Sequence, residues 1–403
     1  MHLIYIHQYF AFPTSNSSTR SYDLSKEFVK HGIEVTVITS TTHFKDLNSN
    51  KRWTYYEADG IKFWILKGAY SHKLSYPRRM MQFISFMLAV THKLLRLKCD
   101  LVLASSTPIT VGLPAYIKKL FSNTPYIFEI RDVWPEVPIR MGIIKNKVII
   151  ALLYKFEKQI YKKASHLVAL SSGMKKSILG RYLNEKTTVI PNICEINRFR
   201  NPSIKGYLKL DIDVSDYNKV ILYAGAFGKV NGLAYVVNFA SKLINYDSNI
   251  IFLLLGQGNE KLELIELCAK KDILNKNIYF LDPVPKDLLP YYYSMCTVGS
   301  SFVINNEVLW DNSANKFFDT LAASKPVIVN YEGWQAALIR ERNIGYVLPT
   351  ELSESSILDF VRYINDSNLL KQQGANALKV AEEYFSLEKA VNAYLNIFTK
   401  TIL

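Results

Sequence analysis

Short apolar runs bounded by polar or glycine-containing turns alternate along the chain with longer stretches whose apolar residues recur every three to four positions. In the first half the short runs are 3–7, 34–39, 101–105, 126–130, 167–170 and 188–190, and each predicts a strand. Helical spacing lies between them, over 20–31, about 77–97, 112–121, 147–163 and 174–182. The second half repeats the alternation, with strands expected at 220–224, 250–255, 278–281, 298–302, 327–330 and 346–348. Strands separated by helices argue for βαβ units and parallel sheets, so the expected class is α/β with two doubly wound sheets.

Residues 192–216 contain Pro202, several Asn and Ser residues and little hydrophobic period, and read as a connection. The expected division is therefore one domain over 1–200 and a second over 201–386. In the last segment, 387–403, Ala390, Tyr394, Ile397 and Phe398 fall at helical spacing. They predict a helix that packs back on the first domain.

At 403 residues, two domains of ordinary size are the natural expectation, and 49% hydrophobic content excludes a disordered chain. Four cysteines without a CxxC spacing suggest neither a disulfide framework nor a zinc knuckle, and fit a reducing compartment. The start of the chain shows no export-signal pattern. Charge changes the picture more: the net charge is +14, but residues 1–200 hold 30 basic and 13 acidic side chains while 201–403 hold 19 and 22. All the excess sits in the first half. From 61 to 99 there are eight basic residues and no acidic one, which points to an anionic partner, nucleic acid or membrane.

The apolar stretch at 80–95 is interrupted by Gln82, Thr91, His92 and Lys93 and is too short to span a bilayer. Two readings stand on the sequence. It is either a buried helix with solvated ends or an interfacial segment whose basic flanks meet anionic head groups.

The strongest local signal is LWDNSANKFFDTLAASKPVIV at 309–329, where Asn312 and Ser313 are good helix N-caps and Pro326 ends the helix. The free N–H groups and dipole of a helix start favour an anion, and Lys316 in the first turn adds a full charge suited to phosphate. Asp311 and Asp319 bracket this start and are placed to accept hydrogen bonds from separate hydroxyls of an extended ligand; an ordinary capped helix with a surface lysine is the plainer reading. A second turn, Gly225-Ala226-Phe227-Gly228-Lys229-Val230-Asn231-Gly232, follows a strand and precedes a helix. It matches neither the GxGxxG dinucleotide spacing nor a P-loop. In the first half, EIRDVWPE at 129–136 leaves a strand at its C-terminal end, where open α/β sheets place ligands, with Arg131, Asp132, Trp134 and Glu136 in one loop. A structural ion pair involving Arg131 is the alternative there. The loop 8–19, with Ser18 just before Arg20, faces the same crevice on this reading. Histidines are unclustered and no HExxH occurs, so a metal centre has no support.

Together these segments resemble glycosyltransferase family 4, the retaining nucleotide-sugar transferases of GT-B fold, and within it the bacterial O-antigen and capsule branch that includes N-acetyl-L-fucosamine transferases. The marks, in order, are YIHQYF with its polar loop and Arg20, EIRDVWPE, HLVALSSGMKKSIL followed by VIPNI, YAGAFG, FLLLGQG and NSANKFFDTLAASKPVI. The resemblance implies two Rossmann-like doubly wound parallel-sheet domains facing a cleft, with acceptor on the first and nucleotide-sugar on the second. It places the donor on Gly225, Phe227, Gly228, Lys229, Asn315, Lys316 and Asp319, with Asp319 on the ribose, Asp311 toward the donor sugar and Lys316 at the diphosphate. Asp132, Asp311 and Lys316 are the implied catalytic residues; Ser18, Arg20, Arg131, Trp134 and Glu136 are the implied acceptor side. The common basic residues of the phosphate-binding turn fall here on Ala226 and Asn231. No cofactor or metal is expected beyond a donor, expected to be UDP-linked.

The implied reaction moves a sugar, by this likeness an N-acetylated deoxyhexosamine, to a lipid-linked saccharide such as an undecaprenyl-diphosphate acceptor. The expected location is the cytoplasmic face of the inner membrane, with the basic first half docked on anionic lipid. Two other classes are weighed against it. A nucleotide-sugar 2-epimerase shares the architecture but has little need of a basic, partly apolar surface. A nucleic-acid-binding protein would account for the charge but lacks a recognisable module.

Overall fold

The computed structural model describes residues 1–44, 51–68, 76–182, 186–200 and 219–402. The expected connection beyond residue 200 and Lys73 of the basic run lie outside them, as does the side chain of Arg79. The chain divides into two compact units, Met1–Pro191 with Leu387–Leu403, and Asn192–Ser386.

The first unit runs β1 (His2–Ile6), α1 (Arg20–Lys30), β2 (Glu34–Ser40), β3 (Trp53–Ala58), β4 (Ile61–Leu66), α2 (Tyr76–Leu95), β5 (Leu101–Ser105), α3 (Gly112–Ser122), β6 (Tyr126–Ile130), α4 (Glu136–Arg140), α5 (Lys147–Lys163), β7 (His166–Ala169), α6 (Ser172–Tyr182) and β8 (Thr187–Val189). Its sheet order is β3-β4-β2-β1-β5-β6-β7-β8. All pairs are parallel except β3 with β4, whose hairpin turns at Asp59 and Gly60, both at positive φ. This Asp-Gly pair is a type I′ turn signal between alternating Tyr, Trp and Phe positions. The six strands expected in this half are present, and the hairpin adds two. The inner strands β1, β5 and β6 are buried on both faces, as parallel sheets flanked by helices require, while the edge strand β3 has no buried residue.

The second unit runs α7 (Ile196–Arg200), β9 (Lys219–Ala224), α8 (Leu233–Leu243), β10 (Ile250–Leu255), α9 (Lys261–Lys270), β11 (Ile278–Leu281), α10 (Leu289–Met295), β12 (Val298–Ser301), α11 (Asn315–Ala322), β13 (Val327–Val329), α12 (Trp334–Arg342), β14 (Gly345–Val347), α13 (Glu354–Asn365) and α14 (Ser367–Tyr384). Its wholly parallel sheet has the order β11-β10-β9-β12-β13-β14. The last helix, α15 (Leu387–Ile402), groups with the first unit: Tyr394 and Phe398 meet Phe28 of α1 edge to face at 5.8 and 5.1 Å. Residues 192–200 group with the second unit, where Phe199 packs on Tyr293 of α10.

In each sheet the strand order reverses once, between β1 and β5 in the first unit and between β9 and β12 in the second. Loops leaving the C-terminal ends of strands at such a point cannot cover one another, so a crevice opens there. The candidate residues lie at these two points.

Candidate functional site

In the second unit the turn after β9 and the loop after β12 meet at Lys316. Its Nζ donates to Asn231 Oδ1 at 2.9 Å and Tyr223 OH at 3.2 Å, and sits 4.6 Å from the Tyr223 ring centre. The side chain is almost fully buried and has no ion-pair partner among the described residues. Burial pushes its pKa down to about 7. The expected mobile surface charge is thus a fixed, desolvated one. The helix it opens, α11, begins after Ala314 in extended conformation and has no side-chain cap. Asn312 and Ser313 therefore do not cap it: they lie two and one residues before the cap position, and Ser313 Oγ is buried without a partner. Asn315 is the first helical residue, and the first turn holds no acidic side chain to neutralise the dipole.

One turn further along α11, Asp319 Oδ2 pairs with Lys286, while Oδ1 has no partner among the described residues. Three positions apart on one helix, Lys316 and Asp319 lie on neighbouring faces, cation near the helix start and carboxylate behind it. Asp311 sits on the loop before α11, half-buried.

The glycines divide by what they meet. A Cβ on Gly256 would stand 1.9 Å from Gly225 O, and one on Gly258 2.2 Å from Phe227 O. The GQG segment after β10 is therefore glycine-rich because it packs backbone to backbone on the β9 turn, with Phe227 N donating to Gln257 O at 3.0 Å. A Cβ on Gly228 by contrast would make only ordinary contact, 3.8 Å from Asn231 Nδ2, and one on Gly225 would touch the Lys316 side chain. Phe227, expected at the donor, is a core residue: its ring is fully buried against Tyr223 and Phe280, and its N–H and C=O are both bonded within the unit. Lys229 is exposed, and its charge is felt by Glu260. Asn231 and Tyr223, which hold the Lys316 ammonium, were not among the expected residues.

At the switch point of the first unit, Glu129 is fully buried at the end of β6. It accepts from Arg20 Nε at 2.8 Å, Tyr394 OH at 2.5 Å, Ser105 Oγ and Tyr5 OH at 3.4 Å. Burial alone would raise its pKa, but Arg20 and Arg131 outweigh it and hold the carboxyl at about 2. Arg20 donates three further bonds, to the carbonyls of Ile190 and Pro191 and to Tyr394. The acceptor-side role expected for Arg20 thus gives way to a structural one, because four of its five N–H groups are bonded within the unit and the side chain is buried. Arg131 does reach the crevice: Nη2 donates to Ser18 Oγ at 3.0 Å and Nη1 to His7 Nε2 at 3.3 Å. Desolvation, reinforced by Arg131, keeps His7 neutral, so its Nδ1 is the donor to Ser21 Oγ at 2.8 Å. A line of hydrogen bonds therefore runs from Arg131 through His7, Ser21 and Tyr5 to Glu129.

Asp132 is exposed and accepts from Thr107. Trp134 is half-buried against the unit's core. Glu136, expected on the acceptor side, has both oxygens engaged, by Arg181, Ser177 and Arg140, and acts as a structural partner of α6.

The helix α2, which holds 80–95, is two-faced. Phe86, Ala89, Val90 and Leu94 are in the core, while Met81, Ile84 and Leu88 are 61, 44 and 61% exposed. Lys93 does not join the basic surface. It lies 3.0 Å from the centre of the Trp64 ring. Lys62 pairs with Glu34. No helix among the described residues is long and apolar enough to cross a membrane, and none of their His, Cys, Asp and Glu side chains form a group placed to hold a metal ion.

Two parallel-sheet α/β units with loops converging at these switch points define the GT-B architecture, and comparison with solved structures agrees. Sucrose-phosphate synthase from Thermosynechococcus elongatus superposes with a TM-score of 0.75 at 14% identity, covering 99% of this chain and 98% of that one. Anabaena Alr3699/HepE in complex with UDP and glucose gives 0.71 at 14%, covering 99 and 100%. WaaG, a glycosyltransferase involved in lipopolysaccharide biosynthesis, gives 0.66 at 14%, covering 97 and 99%. Residues 17–198 match Glycosyltransferase Family 4 and residues 211–380 match Glycosyl transferases group 1. The chain thus carries a glycosyltransferase family 4 domain followed by a glycosyl transferases group 1 domain, on a GT-B fold. An uncharacterized glycosyltransferase, MJ1069, of Methanocaldococcus jannaschii is 24% identical over 263 residues, 64% of each chain. The putative colanic acid biosynthesis glycosyl transferase WcaI of Escherichia coli K12 is 24% identical over 277 residues, 66% of this chain and 67% of that one. The matches thus span about two thirds of these relatives' length.

Proposed function

We propose that the protein transfers a sugar from a nucleoside diphosphate donor, held by the second unit, to a saccharide acceptor held by the first. The observation that carries this reading is Lys316, a buried ammonium without a carboxylate partner, set at the switch point beside an uncapped helix N-terminus. A diphosphate satisfies both at once, and a buried cation is far more effective there than in water. Asn315 and Gly228 border the same turn; Asp319, with one oxygen held by Lys286, offers the other to ribose hydroxyls, and Asp311 faces the donor sugar. UDP is the favoured nucleotide, since the structural neighbour HepE is a complex with UDP and glucose.

In this reaction the bond from the anomeric carbon to the diphosphate breaks as the acceptor oxygen bonds the same carbon on the same face. The acceptor's proton passes to the departing phosphate oxygen, and the configuration is retained. Lys316 and the α11 N–H groups stabilise the charge on the leaving group. Asp132, Arg131, Ser18 and His7 orient acceptor hydroxyls. The sugar is proposed to be an N-acetylated deoxyhexosamine and the acceptor a lipid-linked saccharide of O-antigen or capsule type. The exposed face of α2, with Arg78, Arg96 and Lys98 about it, then rests on anionic lipid at the inner face of the cell membrane.

UDP-sugar-dependent transfer lost in Lys316→Ala and Asp319→Ala, with folding intact, supports the reading; full activity in both overturns the site. Incubation with UDP-N-acetylglucosamine and no acceptor tests the epimerase alternative, which predicts an epimerised product. The two transferase domains do not favour it.

A further inference from the structure

On the first unit, between α5 and the end of α6, lies an open cavity of about 630 Å³ lined by Tyr154, Lys155, Lys158, Gln159, Arg181 and Tyr182. None of the lining side chains is acidic. Its floor is Arg181, which is pinned from behind: Nη1 donates to Glu136, and Nη2 donates to the buried Glu157 at 3.0 Å. Tyr182 OH donates to the same Glu157, so ring and guanidinium are fixed in one network. The guanidinium carbon lies 6.0 Å from the Tyr154 ring centre and 5.5 Å from that of Tyr182. Two carboxylates already face Arg181 from the interior, so the floor alone carries no excess positive charge.

The rim does. Lys155 and Lys158 stand three positions apart on the outer face of α5, both exposed. Neither makes an ion pair or hydrogen bond among the described residues, and the Gln159 amide beside them is unbonded as well. Two solvated ammonium groups, a free amide and two tyrosine rings thus surround one opening. Flat aromatic faces pack on the C–H faces of sugar rings, an amide pairs with hydroxyls, and paired ammonium groups take a carboxylate or phosphate. The volume falls in the usual range for a small-molecule site and far exceeds what a lone phosphate fills.

We propose that this cavity binds an anionic saccharide unit, a sugar ring carrying a carboxylate or a phosphate, at a site separate from the nucleotide-sugar donor. It goes beyond the transfer reading and stands whether or not the donor assignment holds. Arg181 links the cavity to chemistry. Glu136, which it holds, is the first residue of α4 and continues the loop that carries Arg131 and Asp132. An acidic unit of a saccharide chain seated here is therefore coupled through Arg181 to the acceptor-side loop.

The test is calorimetric titration of the full chain, with and without saturating UDP, using glucuronate, glucose 6-phosphate, glucose and inorganic phosphate. Glucuronate or glucose 6-phosphate binds at least tenfold more tightly than glucose or phosphate, and UDP does not compete. Binding of one and not the other assigns the acid group as carboxylate or phosphate. The double variant Lys155→Ala/Lys158→Ala, altered only at exposed positions, loses at least tenfold in that affinity while its UDP affinity and melting temperature stay unchanged. Equal binding of glucose, equal binding of bare phosphate, competition by UDP, or an undiminished affinity in the double variant overturns the proposal. So does binding confined to anionic vesicles.

Discussion

The two switch points solve opposite electrostatic problems. The first unit carries 30 basic and 13 acidic side chains, a net +17, yet the charges buried at its switch point are matched: Glu129 against Arg20, with Tyr394, Tyr5 and Ser105 completing the set. The second unit carries 19 basic and 22 acidic side chains, a net −3, yet its switch point holds the Lys316 ammonium with only neutral oxygens beside it. Net charge therefore does not point to the anion site proposed at Lys316. The uncompensated charge in a desolvated crevice does, because its Coulomb energy is least screened there.

Removing one member of the matched set should have the largest effect. Glu129→Ala leaves Arg20 buried and unpaired and should cost about 3–5 kcal/mol of stability, read by denaturant unfolding. Because its folded pKa is depressed from 4.5 to about 2, Glu129 contributes stability that is complete above about pH 4.5 and is lost as pH falls toward 2. The acid limb of the unfolding curve should accordingly shrink in Glu129→Gln.

The unmatched site should respond in the reverse sense. Lys316→Met removes a charge whose pKa is lowered in the folded state, a penalty that grows as pH falls from 10.5 to about 7. At neutral pH the unliganded variant should melt no lower than the wild type, while its UDP affinity falls by about 2 kcal/mol, roughly 30-fold, the scale of a lost charge-assisted hydrogen bond. A melting temperature well below wild type would show that Lys316 is structural. Gly258→Ala drives a methyl group into Phe227 O and should cost about 1–3 kcal/mol, an overpacking penalty visible in thermal melts. Gly228→Ala, where a Cβ meets only an ordinary 3.8 Å contact with Asn231 Nδ2, should leave stability within about 0.5 kcal/mol of wild type and separate a glycine proposed to border the donor from a packing one. The smallest effect belongs to the surface: Leu88→Asp on the exposed face of α2 should weaken binding to anionic vesicles several-fold and leave transfer to a soluble acceptor unchanged.

Strands and helices were legible because their hydrophobic periods are local. The β3–β4 hairpin was missed, although Asp59-Gly60 is a turn signal, because its charged and aromatic outer positions do not read as a buried strand. The side chains were less legible. Asn231 and Tyr223 stand 85 and 93 positions from Lys316, and no spacing announces that they meet it. His7 lies 124 positions from Arg131. Arg20 and Glu136 look like ligand-facing charges in a polar loop, and only the structure shows their donors and acceptors spent on Glu129 and Arg181. Phe227 misled in the same way, since a ligand-binding turn and a turn packed on its neighbour both call for glycine beside an aromatic.

The central claim is that Lys316 supplies the positive charge for a nucleoside diphosphate, and titration of UDP into wild type and Lys316→Met at pH 7 and pH 8.5 tests it most directly. With its free-state pKa near 7 and a bound anion holding it charged, the wild type should lose about tenfold in affinity over that interval, and the variant should bind weakly and equally at both. Equal, tight binding by wild type and variant at both pH values would contradict the account.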